Sequence, residues 1–561
     1  MSDNQLAVEV VRGEMQPWSD YNGKRGAVGG PVLRTLLNDV LPAGARTLIL
    51  GPHAADLVSV VVGKSSAATM LVRSVSDAAA LSEQFPDLQV IAGALDGLTG
   101  TAYDAVVAVD GLDRVLGYDS PDLTWPQRLD ALATLCTPST VLVLGLENEF
   151  SLTNLLDSRL PANRHGDDDW SPLHEDPARP VSAVQLAAEL ARVGLPLQSV
   201  YSSFNGTLVA VDVAAAARPG TLPTRLAVEA LESSDVPLLA PIAEGAETAA
   251  RAGLLASTST GWLAVTAAAK HAIYTDRLTA DRAEDRWSIA AVAAEADDGT
   301  ASAVPSERST EVRYDSSVVP PTVSAGSSVE TVLLRLAAAE DVPAFRELAG
   351  RLGEWALAQT GQVVLRWDDV TIDGDSFAFG VSGWVAEAGR SEVLAAAWVR
   401  FHERLIGGHR RHPWPPWMVG DDLVSTWLAM SGGSADDVAR GKELARALSA
   451  ALGRVESAAP DVRTALADAE RAKHELFELQ GHVFGLERTI GFRDKALKTR
   501  ETRLREMRLQ VQKTNAERTR FRNSRAFAAA TLIRKAALIR NPRKFAYKVK
   551  RRLKKKLGNR F

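Results

Sequence analysis

The chain has 561 residues, 46% hydrophobic and 24% charged, enough apolar material for several buried cores and, by length, for about three domains. Its single cysteine, Cys136, excludes an intramolecular disulfide, the start MSDNQLAVEVVRGEMQPW has no basic head before an apolar core, and no charge-free apolar run is long enough to cross a bilayer. A reducing cytoplasm is the expected setting. The net charge of −5 is uneven, because residues 518–561 hold 17 of the 64 Lys and Arg and no acid, leaving 47 basic against 69 acidic residues elsewhere.

Residues 1–29 read as an N-terminal extension. From 30 to 216 strand and helix patterns alternate: RTLIL (46–50), ATMLVRS (68–74), LQVIAGA (88–94), YDAVVAVD (103–110) and TVLVLGL (140–146), with helical segments between them. That alternation predicts an α/β domain with a doubly wound parallel sheet. After the helical SAVQLAAELARVGL, the strands PLQSVYSSF and TLVAVDVA flank Asn205-Gly206, which suits a two-residue hairpin turn, so the sheet is expected to end in an antiparallel pair. Residues 217–455 read as a mixed α+β domain, with a helical TRLAVEALESS, a Ser/Pro-rich stretch near 298–328, a helical run from Ser327 to Thr360, and a hairpin turning at Asp373-Gly374.

From Val462 the apolar residues step three and four at a time through Leu476, Leu479, Val483, Leu486, Ile490, Leu497, Leu504, Met507 and Val511 to Phe521. Eighteen core positions keep one frame, four of them polar (Arg493, Arg500, Thr514, Arg518), so 456–525 is expected to be a long coiled-coil helix that makes the protein a homo-oligomer. Residues 526–561 form a basic amphipathic tail. FAAATLIRKAALI offers apolar insertion and RNPRKFAYKVKRRLKKKLGNR offers cations, the combination that peripheral binding to the inner face of an anionic membrane needs. Nucleic acid is the alternative partner, but the apolar stretch has no use there and no recognition module accompanies it.

A nucleotide cofactor at the carboxyl ends of such strands asks for a side-chain-poor turn after strand one, an acid after strand two and polar groups after strand three. Here Gly51 is followed by Pro52, His53, Ala54 and Ala55, the acid position holds Arg73 or Ser74 with Asp77 a few residues late, and GALDGL supplies Ala94 and Asp96. Gly51, Asp56, Asp77, Asp96 and Asp110 are therefore the candidate cofactor contacts. The plainer reading of each acid is a helix cap or loop residue.

These strands, with FPDLQVIAGALDGL, YDAVVAVDGLDRVL and LVLGLENEFSLTNLLDSR, resemble the class I S-adenosylmethionine-dependent methyltransferases over roughly residues 30–216. ENEFSLTNLL resembles members associated with cell-surface polysaccharide assembly, RHPWPPW (411–417) an extension some of them carry, and the basic end the tails of glycosyltransferases and their partners. The resemblance implies a seven-stranded methyltransferase sheet, S-adenosylmethionine as cofactor and methyl transfer to a hydroxyl on a glycan-type acceptor. Glu147, which ends strand five, and His165 and His174, in the loop PANRHGDDDWSPLHEDP, are the candidate bases. The set His165, Asp167, Asp168, Asp169 and His174 matches no strong ligand spacing, so no metal is expected. Ile49, His53, Ala55, Arg73 or Ser74, and Ala94 depart from the family pattern at the cofactor positions. They open a second reading: a catalytically inactive pseudo-methyltransferase that serves as an oligomeric, membrane-associated scaffold for glycosyltransferases.

Overall fold

The computed structural model describes residues 8–16, 18–22, 25–100, 102–157, 159, 176–205, 209–215, 220–234, 236, 238, 241–292, 311–408, 410–415, 418, 420–453, 462–539 and 546–552. The chain divides into two units, Met1–Glu456 and Ser457–Phe561.

The first unit opens with β1 (Glu9–Val10), α1 (Pro31–Val40), β2 (Ala45–Leu50), α2 (Ala55–Lys64), β3 (Ser65–Val72), α3 (Val75–Gln84), β4 (Leu88–Ala92), β5 (Ala105–Ala108), α4 (Trp125–Ala133), β6 (Val141–Glu147), α5 (Leu152–Leu156), α6 (Ala183–Arg192), β7 (Ser199–Phe204) and β8 (Val209–Asp212). The order β1-β4-β3-β2-β5-β6 is parallel throughout. Alternate residues of the central strands enter two separate cores. Ile49, Met70, Val107 and Val143 pack with α1 and α2, while Leu48, Leu50, Leu71, Val106 and Leu144 pack with α4 and α6. A strand covered on both faces needs an unbroken apolar run rather than alternation, which is why these segments read as RTLIL and TVLVLGL.

After α7 (Leu222–Glu232) and α8 (Ile242–Arg251), β9 (Gly261–Val265) inserts between β6 and β7 and runs antiparallel to both. The sequence suggested that TLVAVDVA would end the sheet. β8 does pair antiparallel with β7, but on its outer side, and the pairing of Phe204 with Val209 leaves four residues in the connection instead of two. The inserted strand comes from beyond residue 216, because GWLAV is buried on both faces, Leu263 and Val265 in one core and Trp262 and Ala264 in the other. Only an interior sheet position covers it.

The sheet then continues through β10 (Ile273–Thr275), β11 (Leu278–Ala283) and β12 (Arg286–Ala291), passes over β13 (Val312–Tyr314), and ends at β14 (Thr322–Ser324). Among the described residues thirteen strands share it, not seven, since β8 offers its free edge to β10 and each hairpin extends the next. The rest of the unit is α9 (Val329–Ala338), α10 (Val342–Ala358), the hairpin β15 (Val370–Asp373) and β16 (Ser376–Phe379), β17 (Trp384–Ala386), α11 (Arg390–His402), α12 (Asp421–Met430) and α13 (Val438–Ala451). The long helical run from Ser327 breaks in two: Glu340 takes φ 59°, Asp341 caps α10 by accepting from the Ala344 N–H, and Pro343 sits in the first turn. The hairpin turns at Gly374-Asp375, one residue later than expected. Trp414 of RHPWPPW packs against Phe345 and Trp427 in the core of these helices, and Trp417 lies outside the described residues.

The second unit holds α14 (Val462–Arg522) and α15 (Arg525–Ile539). No described helix is long and apolar enough to cross a membrane.

Candidate functional site

In a doubly wound sheet the ligand crevice lies at the carboxyl ends of the strands. In this chain the described residues among 11–28 (11–16, 18–22 and 25–28) cross those ends as a strap. Val11 N–H donates to the Ala92 carbonyl (2.9 Å) and Ala94 N–H to the Arg12 carbonyl (3.0 Å), at the end of β4. Met15 N–H donates to the Arg73 carbonyl (2.8 Å), at the end of β3. Val28 N–H donates to the Pro52 carbonyl (3.2 Å) and Ala54 N–H to the Val28 carbonyl (2.9 Å), after β2. The strap thus takes in turn the three places where a nucleotide's base, ribose and tail would be held. Backbone meets backbone so closely that a methyl group on Gly117 would collide with the Gly13 carbonyl.

Charge fills what backbone leaves. Arg73, 1% exposed, stands where a ribose-binding acid is usual, and its Nε donates to Asp20 of the strap at 3.0 Å, with Trp18 stacked 5.5 Å from its guanidinium carbon. Arg114, 2% exposed, makes a two-pronged pair with Asp110 (2.8 and 2.6 Å) and donates to the carbonyls of Arg25 and Gly26 (3.1 Å each). Buried pairs of this kind hold only while both members are present, because a lone buried charge costs several kcal/mol. His53 occupies the turn itself. Val109 N–H donates to its Nε2 (3.2 Å), so the ring proton is on Nδ1 and points to the Gly51 carbonyl (3.1 Å). Burial holds this imidazole below its ordinary 6.5, hence neutral.

The candidate contacts are spent on the same structure. Gly51 has φ 82° and gives its N–H to Leu71. Asp56 accepts from the N–H groups of Gly30 and Leu57 (2.9 Å each). Asp77 accepts from Ser19 Oγ (2.7 Å) and Asp20 N–H (2.9 Å), while burial, opposed by these hydrogen bonds, raises its pKa. Asp96 pairs with Arg12 (2.7 Å) and accepts from Ser120 Oγ (2.6 Å). Asp110 and Glu147 are brought together by the strap's Arg25, 3.7 Å from one and 3.6 Å from the other. His165 and His174 lie outside the described residues. The sequence alone assigns Arg12, Asp20 and Arg25 no role. Arg73 signals only Asp20, since an arginine at the end of a buried strand requires an acid from elsewhere; nothing in the sequence signals Arg12 or Arg25.

Two cavities lie away from the crevice, and Arg225, Glu229 and Asp368 line both. Their charges are largely internal pairs: Arg366 bridges Glu229 and Asp368 (2.7 and 2.6 Å), and Arg404 binds Glu232, Glu247 and Glu330 at 2.7 Å each, joining α7, α8 and α9 to the turn after α11.

A parallel sheet interrupted by one antiparallel strand between β6 and β7 separates this chain from dehydrogenase-type sheets. This strand order, with one antiparallel strand set into the parallel series, is the arrangement expected from the sequence resemblance to class I methyltransferases. No protein-family model matches the chain, and no curated protein does. Similar solved structures include the N-methyltransferase NodS of Bradyrhizobium japonicum WM9 in complex with S-adenosyl-L-homocysteine, 17% identical, with TM-score 0.17, covering 21% of this chain and 59% of that one. A TehB-like S-adenosylmethionine-dependent methyltransferase of Corynebacterium glutamicum ATCC 13032 is 12% identical, with TM-score 0.22, covering 44% and 86%. The [4+2]-cyclase SpnF is 15% identical, with TM-score 0.24, covering 42% and 78%. This chain spans less than two thirds of NodS.

S-adenosylmethionine is the cofactor that the sequence resemblance to class I methyltransferases implies. The residues present do not fit it as the crevice is folded: His53 fills the glycine turn, Arg73 and Asp20 fill the ribose position, and the strap's backbone covers the β4 end.

Proposed function

We propose that this protein is a methyltransferase-fold scaffold, whose crevice is closed by its own N-terminal strap and whose work is done by assembly. It would hold partners of cell-surface glycan synthesis, glycosyltransferases among them, at the cytoplasmic face of the membrane. One observation carries the reading: the buried Arg73–Asp20 pair occupies the position from which a cofactor's ribose would be held. The likeness of ENEFSLTNLL to polysaccharide-assembly members supports the glycan setting, the exposed seam of α14 supports oligomerisation, and the acid-free 518–561 region supports an anionic surface.

Calorimetric titration of S-adenosylmethionine and S-adenosylhomocysteine into the full chain tests the closed crevice, with no saturable heat as the expected result. Micromolar binding that Gly51→Trp abolishes would overturn the scaffold and restore the enzyme. Sedimentation with anionic vesicles tests the tail: a chain ending at Arg525 should stay in solution, and co-sedimentation equal to that of the full chain would refute membrane attachment.

A further inference from the structure

Helix α14 leaves its apolar seam in solvent: Leu476 is 51% exposed, Leu486 60% and Val511 58%. In the heptad frame the a positions include Leu476, Val483, Ile490, Leu497, Leu504 and Val511, and the d positions Leu479, Leu486 and Met507, with Arg493 and Arg500 also at d. Branching at the β-carbon in Val483, Ile490 and Val511 at a, with leucine at d in Leu479 and Leu486, is the pattern of two strands.

The charges decide the direction. Arg493 and Arg500 are each followed at e by an acid, Asp494 and Glu501, and in a parallel pair the e residue of one helix flanks the d residue of the other. His482 at g then faces Glu487 at e, and Glu517 at g faces Arg522 at e; Arg503 opposite Arg508 is the one g–e pair of like charge. An antiparallel pair overlapping along the whole of α14 turns e towards e about the middle of the helix. That arrangement sets Glu487, Asp494 and Glu501 against one another and takes the acids away from the core arginines.

We propose that a second copy of this chain covers the α14 seam as a parallel, in-register two-stranded coiled coil, in which Asp494 and Glu501 of each helix neutralise Arg493 and Arg500 of the other. This rests on the reading of α14 as the assembly element and adds its partner number, direction and register. It also puts two copies of the basic tail at the same end of the coil, so an anionic surface meets both at once.

The test uses the full chain with Cys136→Ser and a single new cysteine, Leu476→Cys or Val511→Cys, under mild oxidation. Self-crosslinking of both variants is expected. A dimer in which neither crosslinks to itself overturns the parallel register while leaving assembly intact. Charge reversal by Asp494→Lys with Glu501→Lys should weaken the dimer ~10-fold or more, since it adds like charges beside the core arginines. In an antiparallel coil it would relieve repulsion and tighten the dimer, which refutes the proposal. A trimer by light scattering refutes the two-stranded state, and a monomer refutes both the proposal and the assembly reading.

Discussion

The crevice at the strand ends and the seam of α14 are opposite cases of satisfied and unsatisfied chemistry. At the crevice every candidate acid already has partners from its own chain, and the most buried charges, Arg73 and Arg114, are neutralised by Asp20 and Asp110. Along α14 ten large apolar residues of the seam are 45–61% exposed. A binding surface is one that loses free energy by staying uncovered, and by that measure the seam asks for a partner while the crevice does not.

Variants can break the contrast, beginning with the largest expected effect. Asp20→Ala removes the carboxylate that pairs with buried Arg73 and should cost about 3–5 kcal/mol of stability by urea unfolding of the full chain. A loss near zero would mean that the strap is not what closes the crevice. Leu486→Ala should cost ~2–5 kcal/mol in the melting of α14 if a second helix buries it, but only about 0.5 kcal/mol if it stays as exposed as in the single chain. Circular dichroism at two protein concentrations separates these outcomes. Gly117→Ala, which pushes a methyl group into the Gly13 carbonyl, should cost about 1–3 kcal/mol and speed amide exchange in residues 11–28. Unchanged exchange there would show that the strap lies elsewhere.

The smallest effect is a pH dependence at the turn. His53 is held neutral in the folded chain, with its pKa below 6.5, so the unfolded chain binds the extra proton. Its contribution to stability is therefore present above pH 6.5 and is lost as pH falls below it. His53→Gln can keep both hydrogen bonds, to Gly51 and from Val109, without titrating, so the stability of the variant should fall less on acidification than that of the natural chain. Parallel slopes would place His53 in water.

Much of the framework was legible because it depends on local repetition. Two-sided burial writes RTLIL and TVLVLGL as continuous apolar runs, and the three-four spacing of α14 is visible without any tertiary contact. The turn at Gly51 and the missing ribose acid were also readable, as departures from a pattern. What replaced them was not. Asp20 lies 53 residues from Arg73 in the chain, and the short polar stretch around it carries no periodicity that would place it over three strand ends.

The sequence by itself therefore determined the alternation of strands and helices, the seam and the charge asymmetry of the two ends, since each follows from side chains a few residues apart. Tertiary structure alone decided three things: that β9 enters between β6 and β7, that the sheet continues past β8 to β14, and that the N-terminal strap closes the crevice. Each joins groups distant in sequence, and the free energy that selects them, from covered edges, paired buried charges and filled space, exists only once the chain has folded.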